Sequence, residues 1–463
     1  MGKSSSSLQR EIVKQKIRNS TLICTRNSTC IHMISRFLTF SALVLLFSVR
    51  IAAQPEFVKA EGGHFTFGGK PYYYIGANYW YGAIIASPGK YGDRERLLRE
   101  LDFMKRNGIN NLRIQAGAEG PDDEPYRVTP SLQTAPGKYN DEILDGLDFL
   151  LAEMGKRGQH AILFLNNSWD WSGGFAQYLN WNGYGPIPYP MVKPNTWPQF
   201  MSFAAQFLHC DNCKDQFFNH IKFILNRTNR YTGKKYTDDP AIMTWEIGNE
   251  PRAFSTENLP ALEQYVKETA AVIRAIDKNH LITTGTEGQW GCENSLEAFE
   301  KIHALPQIDY LTMHIWPKNW SWLDVKDIAG SLDKSIANTN KYIDDQIAVA
   351  RRLGKPIVLE EFGLPRDFHG YTLDEKTSCR DKYYTNAFEK VTDHCKRIDV
   401  LAGCNFWGFA GEGRPAHLFW MKGDNYLGDP PNEEQGLNSV FNTDSTITVI
   451  ASYNQKLNAL LKK

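Results

Sequence analysis

The chain has 463 residues, enough for one large α/β domain or two ordinary ones, and it is rich in aromatic side chains, with 12 Trp and 21 Tyr. Lys plus Arg and Asp plus Glu each total 52, but residues 1–53 hold eight of the bases and one of the acids, leaving 44 bases and 51 acids, a net of −7, in the remainder. A mildly acidic body argues against nucleic acid or an anionic membrane as partner and points to an uncharged ligand.

In chain order, the first feature is Phe37 to Val49, an uncharged and mostly apolar run preceded by Arg36 and followed by Arg50 and Ile51-Ala52-Ala53-Gln54. Its 13 residues fall short of the ~20 that span a bilayer as a helix and suit a signal-peptide core with a small-residue cleavage region. Residues 1–53 therefore read as an N-terminal extension and signal peptide that is removed, and residues 54–463 as one domain that is secreted to the extracellular space. An uncleaved anchor is the alternative, because Arg50 is awkward so close to cleavage. Met33 would start a signal of ordinary length.

Beyond this prefix lie Cys210, Cys213, Cys292, Cys379, Cys395 and Cys404. An even number in an exported chain predicts disulfides, with the pairing unreadable. Cys210-Asp211-Asn212-Cys213 is also half of a zinc pattern, but no second such pair or spaced histidine pair completes it, so no metal is expected. Asn166, Asn226 and Asn319 head Asn-X-Ser/Thr sequons.

From Pro71 onward, strand-like runs alternate with amphipathic helical stretches, with no linker between them. The predicted strands are Tyr72–Ala77, Asn111–Ala116, Ala161–Asn166, Ile242–Glu250, Leu281–Thr286, Tyr310–Trp316, Ile357–Phe362 and Cys404–Phe409. Among the helices, Asp93–Asn107 repeats Leu97, Leu101 and Met104 on one face, and Asn140–Arg157 repeats Leu144, Leu147, Leu151 and Met154 before Gly158. Eight alternations predict an α/β fold closed into a (β/α)₈ TIM barrel. A doubly wound open sheet is the runner-up, but Gly76-Ala77-Asn78-Tyr79-Trp80 is not the phosphate loop it would want.

Two of these strands end in a carboxylate and a turn residue: Trp245-Glu246-Ile247-Gly248-Asn249-Glu250-Pro251-Arg252 and Leu359-Glu360-Glu361-Phe362-Gly363. Residues at strand C-termini converge on one rim of a barrel, so Glu250 and Glu361 meet although far apart in sequence. Two carboxyls ~5–5.5 Å apart are what a retaining glycosidase needs, one to protonate the leaving oxygen and one to attack the anomeric carbon. Strand alternation sends Glu360 to the opposite face from Glu361 and puts Glu246 deeper than Glu250, so both are assigned to structure.

These motifs resemble the signature of clan A glycoside hydrolases and of family 5 within it. Further segments resemble its endo-β-1,4-mannanases: Asn166-Asn167 with Gly173-Gly174-Phe175-Ala176-Gln177-Tyr178, Thr286-Glu287-Gly288-Gln289-Trp290, Thr312-Met313-His314-Ile315-Trp316-Pro317 and Asn405-Phe406-Trp407-Gly408-Phe409. The match runs from about Glu56 to the C-terminus. The resemblance implies Glu250 as acid/base and Glu361 as nucleophile. It places Arg113 to favour ionised Glu361, Asn249 at the sugar 2-hydroxyl, His314 beside the nucleophile, Trp407 under the sugar being cleaved and Arg252 on the leaving-group side. Asn167, Trp290 and Trp80 join the substrate-binding set. Many family 5 enzymes carry Tyr where this chain has Trp316, and an indole donates a hydrogen bond but cannot act as a phenol.

The resulting expectation is a cofactor-independent, monomeric, retaining hydrolase of internal β-1,4 bonds in mannan, galactomannan or glucomannan. An exo-acting β-mannosidase or mannobiohydrolase and a β-1,4-glucanase are the rivals within this chemistry, with the long segment Phe409–Val440 as the device that would close one end of a cleft. A catalytically inactive carbohydrate-binding barrel is the rival outside it.

Overall fold

The apolar runs form eight strands: β1 (Tyr74–Asn78), β2 (Asn111–Gln115), β3 (His160–Phe164), β4 (Ile242–Glu246), β5 (Leu281–Thr283), β6 (Leu311–Ile315), β7 (Ile357–Phe362) and β8 (Leu401–Phe406). Every residue in them is buried, as parallel strands covered by helices require. The computed structural model describes residues 56–461, so the expected signal segment lies outside the described residues.

The strands lie in the order β5-β4-β3-β2-β1-β8-β7-β6, every neighbouring pair parallel. This is the chain order bent round until its ends meet, the expected (β/α)₈ barrel. Between β5 and β6 no continuous ladder forms among the described residues. The seam is bridged instead by Asp309 N–H to the Ile282 carbonyl, Thr283 Oγ1 to the Tyr310 carbonyl and Thr312 Oγ1 to the Thr286 carbonyl, each at 2.9 Å.

Helices cover the outside. Arg94–Arg106 starts at Asp93, whose side chain accepts from the Arg96 N–H, and Asp141–Arg157 starts at Asn140 and stops at Gly158 with φ 65°. At the N-terminal end of the barrel a three-stranded antiparallel sheet (Lys59–Glu61, His64–Phe67, Lys70–Pro71) presents Phe65 to the rings of Tyr74 and Tyr310. The bottom is thus packed, and the site is left to the opposite rim.

Several expectations change. β4 ends at Glu246, so Glu250 sits in the following loop, with φ 52°. The expected cysteine framework reduces to one bridge among the described residues, Cys210–Cys213, while Cys292, Cys379, Cys395 and Cys404 are free and buried. Those four thiols lie within the packed interior, where a cysteine serves as a small apolar side chain.

Trp245, two residues before β4's junction with Ile247, turns outward and donates from Nε1 to Asp277 at 2.7 Å. Asp277 also accepts from the His280 N–H at 3.0 Å and the His280 ring at 2.6 Å. Burial raises this carboxyl, but the hydrogen bonds from His280 and Trp245 outweigh it and bring the pKa from 3.8 down to about 2. A depressed carboxyl stabilises the fold above its unfolded pKa, and that stability is lost as pH falls through the folded one. Asp277→Asn is therefore expected to cost about 2 kcal/mol at pH 6–7, with the gap from wild type closing between pH 4 and 2, as read by urea unfolding at stepped pH.

Candidate active site

Arg113 reaches into the barrel from β2, fully buried, and uses all five of its N–H donors. Its Nε and one terminal nitrogen grip Glu246 at 2.9 and 2.6 Å, and that terminal nitrogen also donates to Asn249 Oδ1 at 2.9 Å. The other terminal nitrogen donates to Asn78 Oδ1 at 3.1 Å and to Glu361 Oε1. Asn78 Nδ2 in turn donates to the Glu360 carbonyl at 2.9 Å, so β1, β2, β4 and β7 are tied around one cation.

Glu250 is delivered by the loop after β4. Asn249 N–H donates to the Asn166 carbonyl at 2.8 Å and Glu250 N–H to the Gly285 carbonyl at 2.9 Å, fixing the turn on both sides. Gly248 passes so close to Asn166 that a Cβ would meet it at 3.2 Å. The Glu250 carboxyl accepts from the indole of Trp169 and meets His314 Nδ1 at 2.8 Å. Across from it, Glu361 Oε2 accepts from the Trp316 indole at 3.3 Å and lies 3.4 Å from His314 Nδ1. His314 thus stands beside Glu361, as expected, and still nearer to Glu250. One oxygen of each glutamate and one His314 nitrogen all lie within 4.8 Å of one another. The trio has the spacing of metal ligands, but Arg113 already supplies the positive charge at Glu361, and the Trp169 and Trp316 indoles engage the outer carboxyl oxygens.

Burial raises both glutamates above the usual carboxyl range; Arg113 opposes the rise at Glu361, where the Glu250 charge adds to it, and Arg252 and Trp169 oppose it at Glu250. They titrate as a pair. His314 is pushed well below the usual imidazole value by burial and by Arg113, so its ring is neutral.

Above these groups opens a cavity of about 350 Å³ whose walls include seven indoles: Trp169, Trp171, Trp197, Trp290, Trp316, Trp320 and Trp407. Trp407 packs edge-on to Trp316 at 5.9 Å, and Trp290 stacks on Trp320 at 4.7 Å. Arg252 lines the cavity, held by Glu287 at 2.5 and 2.7 Å and lying 5.2 Å over the Trp169 ring. Such flat walls with a few fixed polar groups suit an uncharged, ring-shaped ligand.

Two expected binding residues stand elsewhere. Trp80 is 1% exposed and donates to the Gly428 carbonyl at 2.9 Å, supporting Trp171 edge-on from behind. Asn167 is also 1% exposed and lies behind Asn249, accepting from its Nδ2 at 3.1 Å. Both act through other residues. Glu246 is structural, as expected. Glu360 is not on the opposite face: it points into the barrel, because the register with β6 shifts from Met313↔Leu359 to His314↔Glu361 and leaves Glu360 as an extra residue.

Sequence reasoning missed Trp169, Trp171, Trp197, Trp320, Glu287, Asn432 and Glu433 in the lining. Glu287 was inside a recognised motif, and Trp169-Asp170-Trp171 follows the Asn166-Asn167 pair after Ser168. Trp197, Asn432 and Glu433 come from long loops and carried no local signal.

A model of glycoside hydrolase family 5 of β-mannosidase-like type matches residues 55–462. The chain belongs to glycoside hydrolase family 5. Mannan endo-1,4-β-mannosidase 7 of Arabidopsis thaliana is 30% identical over 88% of this chain and 86% of its own length. A family 5 mannosidase from Rhizomucor miehei is 36% identical with a TM-score of 0.82, covering 89% of this chain and 100% of that one. The same protein has been solved in complex with mannosyl-fructose. The endo-1,4-β-mannanase from Rhizomucor miehei is 25% identical with a TM-score of 0.62, over 88% of this chain and 100% of that one. The family 5 protein described here is a glycoside hydrolase.

The Arg113 cage makes a specific demand. Arg113→Met strands Glu246 and Glu361 without their cation and is expected to cost about 3–5 kcal/mol of folding stability, read as a lowered urea midpoint.

Proposed function

We propose that the protein hydrolyses internal β-1,4-mannosidic linkages of mannan, galactomannan or glucomannan with retention of configuration. The observation that carries this is the close pair of Glu250 and Glu361, with oxygens within 4.8 Å, under an indole-walled cavity in a family 5 chain. Carboxyls so close leave no room for a water between them and favour double displacement. Glu361, held by Arg113 and Trp316, attacks the anomeric carbon, while Glu250 gives its proton to the leaving oxygen. Glu250 then takes a proton from the water that releases the sugar from Glu361.

Asn249 spends Oδ1 on Arg113 and one Nδ2 hydrogen on Asn167, leaving the other hydrogen for the sugar 2-hydroxyl. Trp407 forms the floor, Trp290 a wall, and Arg252 the contact on the leaving-group side. The Trp316 indole takes the donor place at Glu361 that a tyrosine fills in many relatives. Substrate class follows the curated relatives, which are named mannan endo-1,4-β-mannosidases. An exo-acting mannosidase is the second reading, raised by Pro430, Asn432 and Glu433 of the Phe409–Val440 segment walling the cavity. Residues 1–53 we assign to an extension and signal peptide, and the mature enzyme to a secreted monomer. Among the described residues no helix is long and apolar enough to cross a membrane.

Purified protein from Gln54 onward is expected to give an early ladder of manno-oligosaccharides from linear mannan and galactomannan, with β-anomers first by proton NMR, and little from a β-1,4-glucan. Mannose or mannobiose alone from the first samples would move the reading to exo action. Glu361→Ala and Glu250→Ala are each expected to lose about 10³-fold or more in kcat on mannan; undiminished hydrolysis by either removes its assignment.

A further inference from the structure

The segment between β3 and β4 carries an indole, Trp197, that the mechanism above does not use. It opens the helix Trp197–Ala204, where Pro198 fixes the first turn and the Thr196 N–H donates to Gln199 Oε1 at 2.9 Å. Trp197 is 43% exposed and is the one exposed tryptophan among the described residues. Its setting is nonetheless fixed: the helix start is capped, and the ring packs edge-on to Phe200 at 6.1 Å and to Trp169 at 5.8 Å. Trp197 and Met201, one helical turn on, both line the cavity.

Four of the cavity's indoles form two pairs, one on each glutamate. Trp316, after β6, donates to Glu361 and packs against Trp407, after β8. Trp169 donates to Glu250 and packs against Trp197. Both members of this second pair follow β3, which the strand order sets across the rim from β7 and Glu361. The sugar attacked by Glu361 lies with the first pair, so the sugar that departs with the Glu250 proton lies with the second. Arg252, 5.2 Å over the Trp169 ring, stands on the same side. Trp197 is one ring beyond Trp169 on this path, toward solvent. We propose that Trp197 is the platform for the second sugar on the leaving-group side, where a β-1,4-mannan chain emerges from the cavity. The apolar face of a pyranose sheds water against the indole, and the fixed mounting leaves little side-chain freedom to lose on binding. This inference rests on the reading of Glu250 as acid/base and of mannan as substrate.

The test compares wild type, Trp197→Ala and Trp197→Phe on two kinds of substrate. One is 4-nitrophenyl β-mannoside and β-mannobioside, whose leaving group is a single ring; the other is the series from mannobiose to mannopentaose, run in heavy-oxygen water so that the label marks the bond cut. Trp197→Ala is expected to lower kcat/KM on mannopentaose on the order of tenfold, the scale of one lost stacking platform, chiefly through KM. The loss is expected to grow along the series and to leave the nitrophenyl substrates nearly unchanged. Where more than one bond is cut, cleavage moves toward those that release a single sugar. Trp197→Phe keeps a flat ring and recovers most of the loss. Because the side chain is largely on the surface, both variants are expected to fold, read by an unchanged urea midpoint. A loss of one size on every oligosaccharide, or a matching loss on the nitrophenyl substrates, is what disturbance of Glu250 through Trp169 gives, and it overturns the proposal. So does a shift of cleavage toward longer leaving groups, or no loss at all. Glu250→Ala and wild type run alongside separate the readings. Retained mannotetraose hydrolysis in Glu250→Ala sinks the acid/base assignment, and no hydrolysis of any mannoside by wild type sinks the substrate reading, each taking the inference with it. Hydrolysis by wild type with an unchanged profile in Trp197→Ala sinks only the role given to Trp197.

Discussion

One guanidinium organises the catalytic rim. Among the described residues Arg113 is the one guanidinium set between Glu246, Glu360 and Glu361, and it spends its last donor on Glu361, so everything it touches is placed relative to a single planar fork. Buried ion pairs lose much of their attraction to desolvation, so the cluster is better understood as a device for position than as a source of stability. Strands from four parts of the sequence contribute to it, and the barrel must close to assemble it. Folding and the construction of the site are therefore one event.

The rim divides its chemistry by neighbours. Glu361 meets a cation and an indole, whereas Glu250 meets a neutral imidazole and an indole. Two side chains of the same kind thereby acquire different tasks, as paired carboxyls in one site must. The loop after β4 is part of this division. Glu250 adopts a left-handed backbone conformation that L-residues seldom take, held there by hydrogen bonds to Asn166 and Gly285 and by the close pass of Gly248.

Much of this was legible in the sequence because the barrel writes itself as short apolar runs, each with its functional residue at the C-terminal end. All eight runs became strands within a few residues of their predicted ends, and Glu250 and Glu361 came together. Glu360 was misplaced because period-two alternation assumes an unbroken register, and the inserted residue between Leu359 and Glu361 is set by pairing with β6, which is distant in sequence. Trp80 and Asn167 were misread for a related reason: motif position says that a residue is near the rim, not which side of its neighbour it occupies. The cysteines were misread because thiol pairing depends on which helices and strands pack together. The cavity walls from Trp197 and Asn432 belong to loops whose paths are fixed by packing rather than by local pattern.

The distribution of indoles has one more consequence. Seven of the 12 tryptophans face the cavity, whereas Trp80 and Trp245 are sealed in the frame with their ring nitrogens on carbonyl and carboxylate partners. Emission from the protein is thus weighted toward the walls of the cavity. A sugar that enters replaces water against several indoles at once, while the frame tryptophans contribute a constant background. A sugar bound there is therefore expected to change the tryptophan emission of the unlabelled enzyme.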